Sequence, residues 1–579
     1  MSKIEKNTYT VAIIGAGPRG LSALESLYTL AFRSNIEKEI KVILFEQTDQ
    51  VGNGPVYHRN QPDTNWLNVS QRGLTIPERK AIKNSNFAIP HFPSYHEWSG
   101  FDEETDTGSK PDYFTKRSQL GVYLSQRFDT IANKLNEIGL LEIHQEKVVN
   151  LDYSTSLFII ETTDNRFVAD EVVLTVGHQP TELDEQLTKW KALVEGNSHA
   201  ILITYPYPVS NIAKNVQAND IIALRGFGLA MVDVTRALTL GLGGSFEILD
   251  YDTCKMLYTP SEGMPIYIVP FSLNGLPMTP KPLNLNLDTP FIPSKAELIA
   301  FKERLEDAIR GERKNGDGRF LIVAITPLIV KKFLGLGNKG KRHNLLVGEV
   351  ENVVQTWLED GSFEHELIIS KTLSAYESMQ AFVNMATGNT VISLDYCIGQ
   401  VWRHCQPSIY RALSFTSLPD EIITEIIQLD ERLKRYSYGP PVDSMTQMIA
   451  LVDAGVMTFD FIDDPDIEFN EKGWKFSKND KNTTARVMVD TVLDSPKLLK
   501  VKSPLVKNLL RDSLIEPIHG QLGISTEESA LVKLNDRHEI IPLAVLGRLA
   551  KGTIIGVDAL LECFGERSEK WAEGVLRRI

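Results

Sequence analysis

The feature that most narrows what this chain can fold into is a ten-residue run, Val11-Ala-Ile-Ile-Gly15-Ala-Gly-Pro-Arg-Gly20. Val11 to Ile14 read as a buried parallel strand, and Leu21, Leu24, Leu27, Tyr28 and Ala31 recur at helical spacing after the glycines. A strand that turns through G-x-G-x-x-G into a helix is the dinucleotide fingerprint. The first glycine permits the tight turn, the second lets a pyrophosphate approach the backbone, and the third allows helix and strand to pack closely. Amides and dipole at the helix start favour the phosphate charge. A second strand, Val42 to Phe45, ends at Glu46. A carboxylate there is placed to accept hydrogen bonds from both ribose hydroxyls, which a 2′-phosphate would prevent.

The same pattern returns from Ile221 to Leu238, as Leu224-Arg-Gly226-Phe-Gly228-Leu-Ala-Met231-Val-Asp233. Methionine at the third glycine position loosens the helix packing but leaves the phosphate contact of the first two glycines. The copy is either a nicotinamide-nucleotide site or a relic of the fold. A chain of 579 residues exceeds what one core supports, so two or three domains are expected. The net charge of -14 argues against nucleic acid as the main partner. No uncharged apolar window of about 20 residues is present, so no membrane span is expected, and the N-terminus lacks the apolar run of a signal peptide. Cys254, Cys397, Cys405 and Cys563 form no C-x-x-C pair. That fits a reducing cytoplasm and speaks against structural zinc, or any metal, and against a dithiol reductase.

Residues Asp63 to Pro111, rich in Asn, Pro, Ser and aromatics, read as a long ordered loop over a site. Leu141 to Val149, Leu157 to Thr162 and Val172 to Val176 read as a β-meander returning to the sheet. Helical periodicity dominates from Pro293 to Ile467, and the basic run Gly337 to His343 is a solvated turn. Strands return at Arg486 to Val492 and Ile540 to Leu546, before a C-terminal helix. The expected architecture is α/β, with two Rossmann-like dinucleotide-binding domains, for FAD and NAD(P), and a helical insertion. The expected division is 1–180 for the first part of the FAD domain, 181–292 for the NAD(P) domain, 293–468 for the insertion covering a substrate, and 469–579 for the return to the FAD domain.

On these residues the chain resembles the bacterial FAD/NAD(P)-binding proteins related to flavin-dependent urate hydroxylase and aspartate N-monooxygenase, nearly end to end. The resemblance rests on Gly15 to Gly20, on Gly52-Asn-Gly54-Pro-Val-Tyr57 with Asn65-Trp-Leu-Asn68, on Arg225 to Asp233, and on Tyr438-Gly-Pro-Pro441 followed by Ala450 to Gly455. It implies an oxidoreductase of the monooxygenase type: NAD(P)H reduces FAD, and the reduced flavin activates molecular oxygen to hydroxylate a small polar substrate at carbon or nitrogen. Two other readings stay open, a flavin reductase or NAD(P)H oxidase, and a non-catalytic interaction protein that keeps FAD for structure.

The resemblance implies FAD contacts at Gly15, Ala16, Gly17, Pro18, Arg19, Gly20, Glu46, Gln47, Gly52, Gly54, Val148, Gly177, Gly547, Gly552 and Thr553, and NAD(P) contacts at Gly226, Gly228 and Ser272. Gly552-Thr553 stands before a helix start on this reading, and Arg548 falls where many relatives carry Asp. Asn68 is the candidate catalytic residue, as a hydrogen-bond partner of the flavin ring or of oxygen reacting there; the alternative is an asparagine that satisfies a loop backbone. His178 reads as a hinge residue. Trp402, Arg403, Tyr410 and Arg411 either line a substrate pocket or serve packing and surface pairing. Relatives often carry paired arginines in the turn that is Ser272-Leu-Asn-Gly275 here. Without them NADH is expected to serve at least as well as NADPH, unless Lys255 or Lys281 supplies the charge.

Overall fold

Along the strand Thr8–Ile14 (β1) the side chains alternate. Val11 and Ile13 enter a core shared with the helix Pro18–Ala31 (α1), while Ala12 and Ile14 enter a second core on the opposite face. Both faces of this strand are covered, as parallel sheets require, and its apolar run is continuous for that reason. The structure is a computed structural model. It describes residues 8–579 except 35, 37, 84–86, 103–106, 312–316, 342–344, 494–496, 519–521, 535–539 and 558, so Arg342 and His343 of the basic run lie outside the described residues.

Two parallel sheets organise the chain. Their strands are β1, β2 (Glu39–Phe45), β3 (Leu141–His144), β4 (Glu171–Leu174), β5 (Ile201–Ile203), β6 (Ile221–Arg225), β7 (Tyr267–Phe271), β8 (Val487–Asp490) and β9 (Leu543–Val545). The first sheet has the order β9-β4-β1-β2-β3 and the second β5-β8-β6-β7. The outer strand β9 comes from the far end of the chain, so the first unit is built from both termini.

Three boundaries differ from the sequence expectation. Leu141–His144 pairs parallel with β2 instead of opening the meander, which consists of Val148–Ser154, Leu157–Thr162 and Arg166–Ala169. Val172 to Leu174 lies in β4, in parallel pairing with β1, outside that meander. β8, expected in the return to the FAD domain, inserts between β5 and β6 of the second sheet, and an antiparallel sheet of residues 466–485 precedes it. A short apolar strand carries no mark of which sheet it joins; Val487 and Val489 pack with Ile222 and Leu224.

The helices that position the sites are α1, α2 (Arg117–Glu137), α3 (Leu229–Thr239), α4 (Leu394–Leu413), α5 (Asp420–Ser437), α6 (Val442–Asp453) and α7 (Glu566–Arg578). The helical region shares one core with the second sheet: Leu328, Trp402 and Leu451 belong to the same apolar cluster as Ile222 and Ile268. Among the described residues no helix is long and apolar enough to cross a membrane.

The C-terminal helix is pinned to the first sheet by a buried carboxylate. Glu171 is fully buried and accepts hydrogen bonds from Trp571 Nε1 at 3.1 Å, from Arg578 at 2.6 and 3.0 Å, and from Tyr9 Oη at 3.3 Å. Burial pushes its carboxyl up and these donors pull it back. Trp571→Ala removes a fully buried indole and one of those donors, and is expected to lower the unfolding free energy by about 3–5 kcal/mol, measured by urea denaturation.

Candidate dinucleotide sites and the seam between them

The six glycine-turn positions do different physical work. Gly15 has φ +103°, and a Cβ there would sit 2.6 Å from the carbonyl oxygen of Thr175; at Gly20 a Cβ would sit 2.2 Å from the carbonyl oxygen of Gly15. Both are glycine because protein backbone occupies the space. Gly17 is different. It is the N-cap of α1 at an ordinary φ of -74°, and the nearest heavy atom to its Cβ position is the Cα of Gly54 at 3.9 Å. Among the described residues nothing requires glycine there. The empty space lies at the N-terminus of α1, where unpaired amides face it, and it is bordered by a second glycine whose own Cβ would come within 3.2 Å of Gly17. These are the properties of a slot for a group that approaches the backbone, and they fit a dinucleotide phosphate. Pro18 takes the first helical position, where its missing N–H costs nothing.

Glu46 stands at the end of β2 beside this slot. One carboxylate oxygen accepts from the Ala16 amide at 3.0 Å; the other accepts from the Thr48 amide at 3.0 Å and its hydroxyl at 2.9 Å. A carboxylate offers about four acceptor positions. With three in use, Glu46 has room for one ribose hydroxyl, not the two expected, unless it turns away from Thr48. Gln47 is exposed. Gly52 is explained by packing, since a Cβ would lie 2.5 Å from Phe128 Cβ, and its amide donates to the Ala16 carbonyl at 2.6 Å.

Arg19 reaches the C-terminal segment, donating to the Val557 carbonyl at 2.9 Å and pairing with Glu562 at 3.5 Å. Its side chain fills the space beside Gly547, where a Cβ would be 2.6 Å from Arg19 Cδ. Thr553 is buried; its hydroxyl donates to Ile524 and accepts from the Thr526 amide, both at 3.3 Å. Among the described residues no helix follows Gly552-Thr553 directly: a 3-10 turn spans Leu561–Phe564 and α7 starts at Glu566. Val148 lies in the core between sheet and meander, and Gly177 has open space at its Cβ position.

The second turn repeats the division of labour. Gly226 has φ +113° and a Cβ position 2.8 Å from Thr491 Oγ1, whereas Gly228 caps α3 at φ -118° with nothing within 4 Å. Met231 is buried in a methionine-rich cleft with Phe227, Met278, Met379, Met445 and Met448, which accounts for its place in the third glycine position. Ser272 follows β7 and closes its turn by accepting from the Gly275 amide at 3.1 Å. The turn does have an arginine, supplied from elsewhere: Arg435 of α5 donates to Asn274 Oδ1 at 3.2 Å. Lys255 is exposed on its strand, and Lys281 is engaged with the carbonyls of Asn68 and Gly439, so neither lysine fills this role.

Between the units, Asn68 is half-buried and donates from Nδ2 to the Tyr438 carbonyl at 3.4 Å, while its own carbonyl accepts from Lys281. This accounts for the Gly-Pro-Pro turn. A Cβ at Gly439 would lie 1.6 Å from the Thr279 carbonyl oxygen, and the carbonyls of Tyr438 and Gly439 hold Asn68 and Lys281 in place. Around Lys281 lies a charged cluster that sequence reasoning missed. Fully buried Asp288 pairs with Arg72 at 3.0 Å, with Arg403, and with His404 at 3.0 Å, and Arg72 also holds Asp112 at 2.8 Å. Burial opposes the charge on Asp288, but Arg403, His404 and Arg72 outweigh it and hold the carboxyl well below the usual range. Lys281 is pushed down to about 7 by burial and by Arg403, against the pull of Asp288 and Asp112. Of the four residues flagged on α4, only Arg403 joins this cluster. Trp402 and Tyr410 both donate to buried Asp430, at 3.0 and 3.1 Å, and exposed Arg411 faces Glu566 at 3.5 Å.

Comparison with known proteins bears on the first unit and on the relatives of the chain. Residues 12–179 match the FAD-NAD(P)-binding family model. A nitrosuccinic acid synthase of Aspergillus oryzae is 28% identical over 240 residues, covering 41% of this chain and 36% of that protein. An L-aspartate N-monooxygenase (nitrosuccinate-forming) of Streptomyces davaonensis is 27% identical over 285 residues, covering 44% of this chain and 42% of that protein. The corresponding enzyme of Streptomyces cremeus is 25% identical over 352 residues, covering 56% and 50%. The matched stretches thus span half or less of these relatives' own length.

The Cβ geometry separates two variants of one turn. Gly17→Ala is expected to keep the wild-type urea midpoint while weakening FAD binding by at least about 10-fold, because its methyl enters only the ligand's space. Gly20→Ala, with its methyl 2.2 Å from a carbonyl oxygen, is expected to lower the midpoint itself. Flavin fluorescence titration and denaturation of the two variants check this.

Proposed function

Starting from a chain whose residues 12–179 form an FAD-NAD(P)-binding domain and whose relatives include L-aspartate N-monooxygenases, we propose an FAD-dependent NAD(P)H monooxygenase that hydroxylates the nitrogen of a small, anionic amino compound. The observation that carries the reading is one signature found at both turns. Gly17 and Gly228 each cap a helix at an ordinary φ, and each lacks any protein atom that would demand glycine.

On this reading FAD is held at the Gly17–Gly54 slot with Glu46, and NAD(P)H at Gly228 with the Ser272–Gly275 turn. Bound FAD supplies the electron transfer and the activation of oxygen. The overall reaction is the amine plus O2, NAD(P)H and a proton giving the hydroxylamine, water and NAD(P)+. The chain's own part is to position and exclude. Asn68, clamped between Tyr438 and Lys281, orients an amide donor at the seam of the two units. Arg72 and Arg403 balance Asp112 and Asp288, and the partly protonated Lys281 tips the cluster toward a carboxylate-bearing substrate. L-aspartate, on which the relatives act, is the first compound to try.

The test is rapid-mixing reduction by NADH and NADPH, followed by oxygen with and without L-aspartate, with the product identified by mass spectrometry. Substrate-dependent N-hydroxylation supports the proposal. Hydrogen peroxide alone, whatever amine is added, leaves an oxidase or reductase, and a protein that takes up no flavin ends the reading.

Two variants sharpen it. Asn68→Ala removes one hydrogen bond worth on the order of 1.5–3 kcal/mol where charge develops, and the peroxide released per NAD(P)H oxidised is expected to rise; an unchanged ratio returns Asn68 to a purely structural role. Arg435, standing beside Asn274, brings a guanidinium within reach of a 2′-phosphate. Arg435→Ala is expected to slow flavin reduction by NADPH about 10-fold and by NADH hardly at all, since losing a charge-assisted hydrogen bond costs about 1.5 kcal/mol. Equal effects on both nucleotides would remove Arg435 from that role.

A further inference from the structure

Methionine fills irregular gaps in any core, but five of this chain's 11 methionines meet in one place. Met231 comes from α3, Met278 from the segment after Ser272, Met379 from the helix Ala375–Ala386, and Met445 and Met448 from α6. They line a half-open cleft with about 230 Å³ of empty space, counting its mouth. Gly228 and Pro440 border the same cleft, so it runs from the cap of the second glycine turn to the Gly-Pro-Pro turn. Four of the five side chains are 3% exposed or less, whereas Met278 is only half-buried. Among the five, Met278 is the one that a small solute meets first.

A thioether reacts with hydrogen peroxide in a balanced two-electron step. The sulfur lone pair attacks one peroxide oxygen, the O–O bond breaks, and the sulfoxide forms as the other oxygen leaves in water. The product is polar and chiral where the reactant was apolar. The segment carrying Met278 has little freedom to carry that oxygen away. The Ser272 amide donates to Ile462 at 2.8 Å, the Thr279 amide to Arg435 at 2.9 Å, and the Lys281 amide to Pro440 at 3.2 Å, so the backbone is held on both sides of Met278. The side chains that line the cleft are apolar and offer no hydrogen-bond donor. The nearest unpaired donors are the amides at the start of α3, beside Gly228, where the second nucleotide's phosphate belongs on the reading above.

We propose that Met278 is a sulfoxidation site: hydrogen peroxide converts it to the sulfoxide, and the modified cleft disfavours the nicotinamide nucleotide at Gly228. Reduced flavin that reacts with oxygen without hydroxylating a substrate releases this oxidant, so the site registers uncoupled turnover. The effect on the nucleotide rests on the reading of Gly228 given above; the modification itself does not.

The test uses the FAD-loaded full-length protein as wild type, Met278→Leu and Met264→Leu. Met264 is also half-buried but lies outside the cleft. Each is treated with graded hydrogen peroxide, sulfoxide is mapped by peptide mass spectrometry, and flavin reduction by NADH and the melting temperature are followed. Met278 is expected to oxidise before its four buried neighbours. Flavin reduction in wild type and Met264→Leu is expected to slow at least about 5-fold at subsaturating NADH, the effect of an unpaired polar group in an apolar site, in step with Met278 sulfoxide and with flavin content unchanged. Two methionine sulfoxide reductases, one for each sulfur epimer, are expected to restore it, and Met278→Leu to hold its rate under the same treatment. The proposal is overturned if Met278 oxidises no faster than Met379 or Met448, if fully oxidised wild type is reduced at the untreated rate, or if Met278→Leu loses its rate as wild type does. A wild type that neither nucleotide reduces defeats the nucleotide reading instead. The order of oxidation, and a melting temperature that falls in wild type but not in Met278→Leu, then decide the site alone.

Discussion

The structure depends first on how closely three pieces of backbone stack at the end of β1. The space a side chain would need at Gly20 is filled by the carbonyl of Gly15, and the space at Gly15 by the carbonyl of Thr175. Helix α1, strand β1 and the end of β4 are thereby held at contact distance, with the Gly15 amide also donating to Phe45 at 2.8 Å. That contact fixes the direction of α1, and with it the position of the Gly17 amide end and the line along which Ser22 meets the C-terminal helix. A looser turn would still make a sheet, but it would not hold the start of α1 at the Gly17 slot.

Charge is concentrated where the two units meet. Arg117 of α2 pairs with Asp233 of α3 at 2.7 Å, and Tyr207 donates to the same carboxylate at 2.7 Å. Arg236 sits 3.6 Å from the ring centre of Trp66, and Lys551 reaches Glu431 at 2.6 Å. Buried pairs of this kind contribute little net stability compared with apolar packing but are costly to separate. They set the register between the FAD-side loops and the second unit's helices. Two residues of the long loop after Asp63 are held by such contacts: Arg72 spans to Asp288, and Asn68 to Tyr438.

What was legible in the sequence was local. Val11 to Gly20 and Leu224 to Asp233 state strand, turn and helix within a few residues, because apolar period, glycine positions and helix start are short-range properties. What was illegible depended on distant chain segments meeting. Arg435 stands 161 residues from Asn274, and Lys281 213 residues from Asn68, and no local pattern records either encounter. β8 went to the unexpected sheet because four buried residues suit either one. Glu46 was readable as an acceptor, but its occupation by Ala16 and Thr48 was not.

The way the first sheet closes also has a bearing on how the protein is made. β9 and α7 are translated long after β4, yet they cover its edge and supply the partners of Glu171, Trp571 and Arg578, the first of them 400 residues away. A nascent chain lacking them exposes an unpaired strand edge and carries a carboxylate prepared for burial without its cation. The first nucleotide unit is thus completed only when segments far apart in the chain have both been made. A chain that stops before β9 is left as an open-edged species suited to chaperone capture or proteolysis.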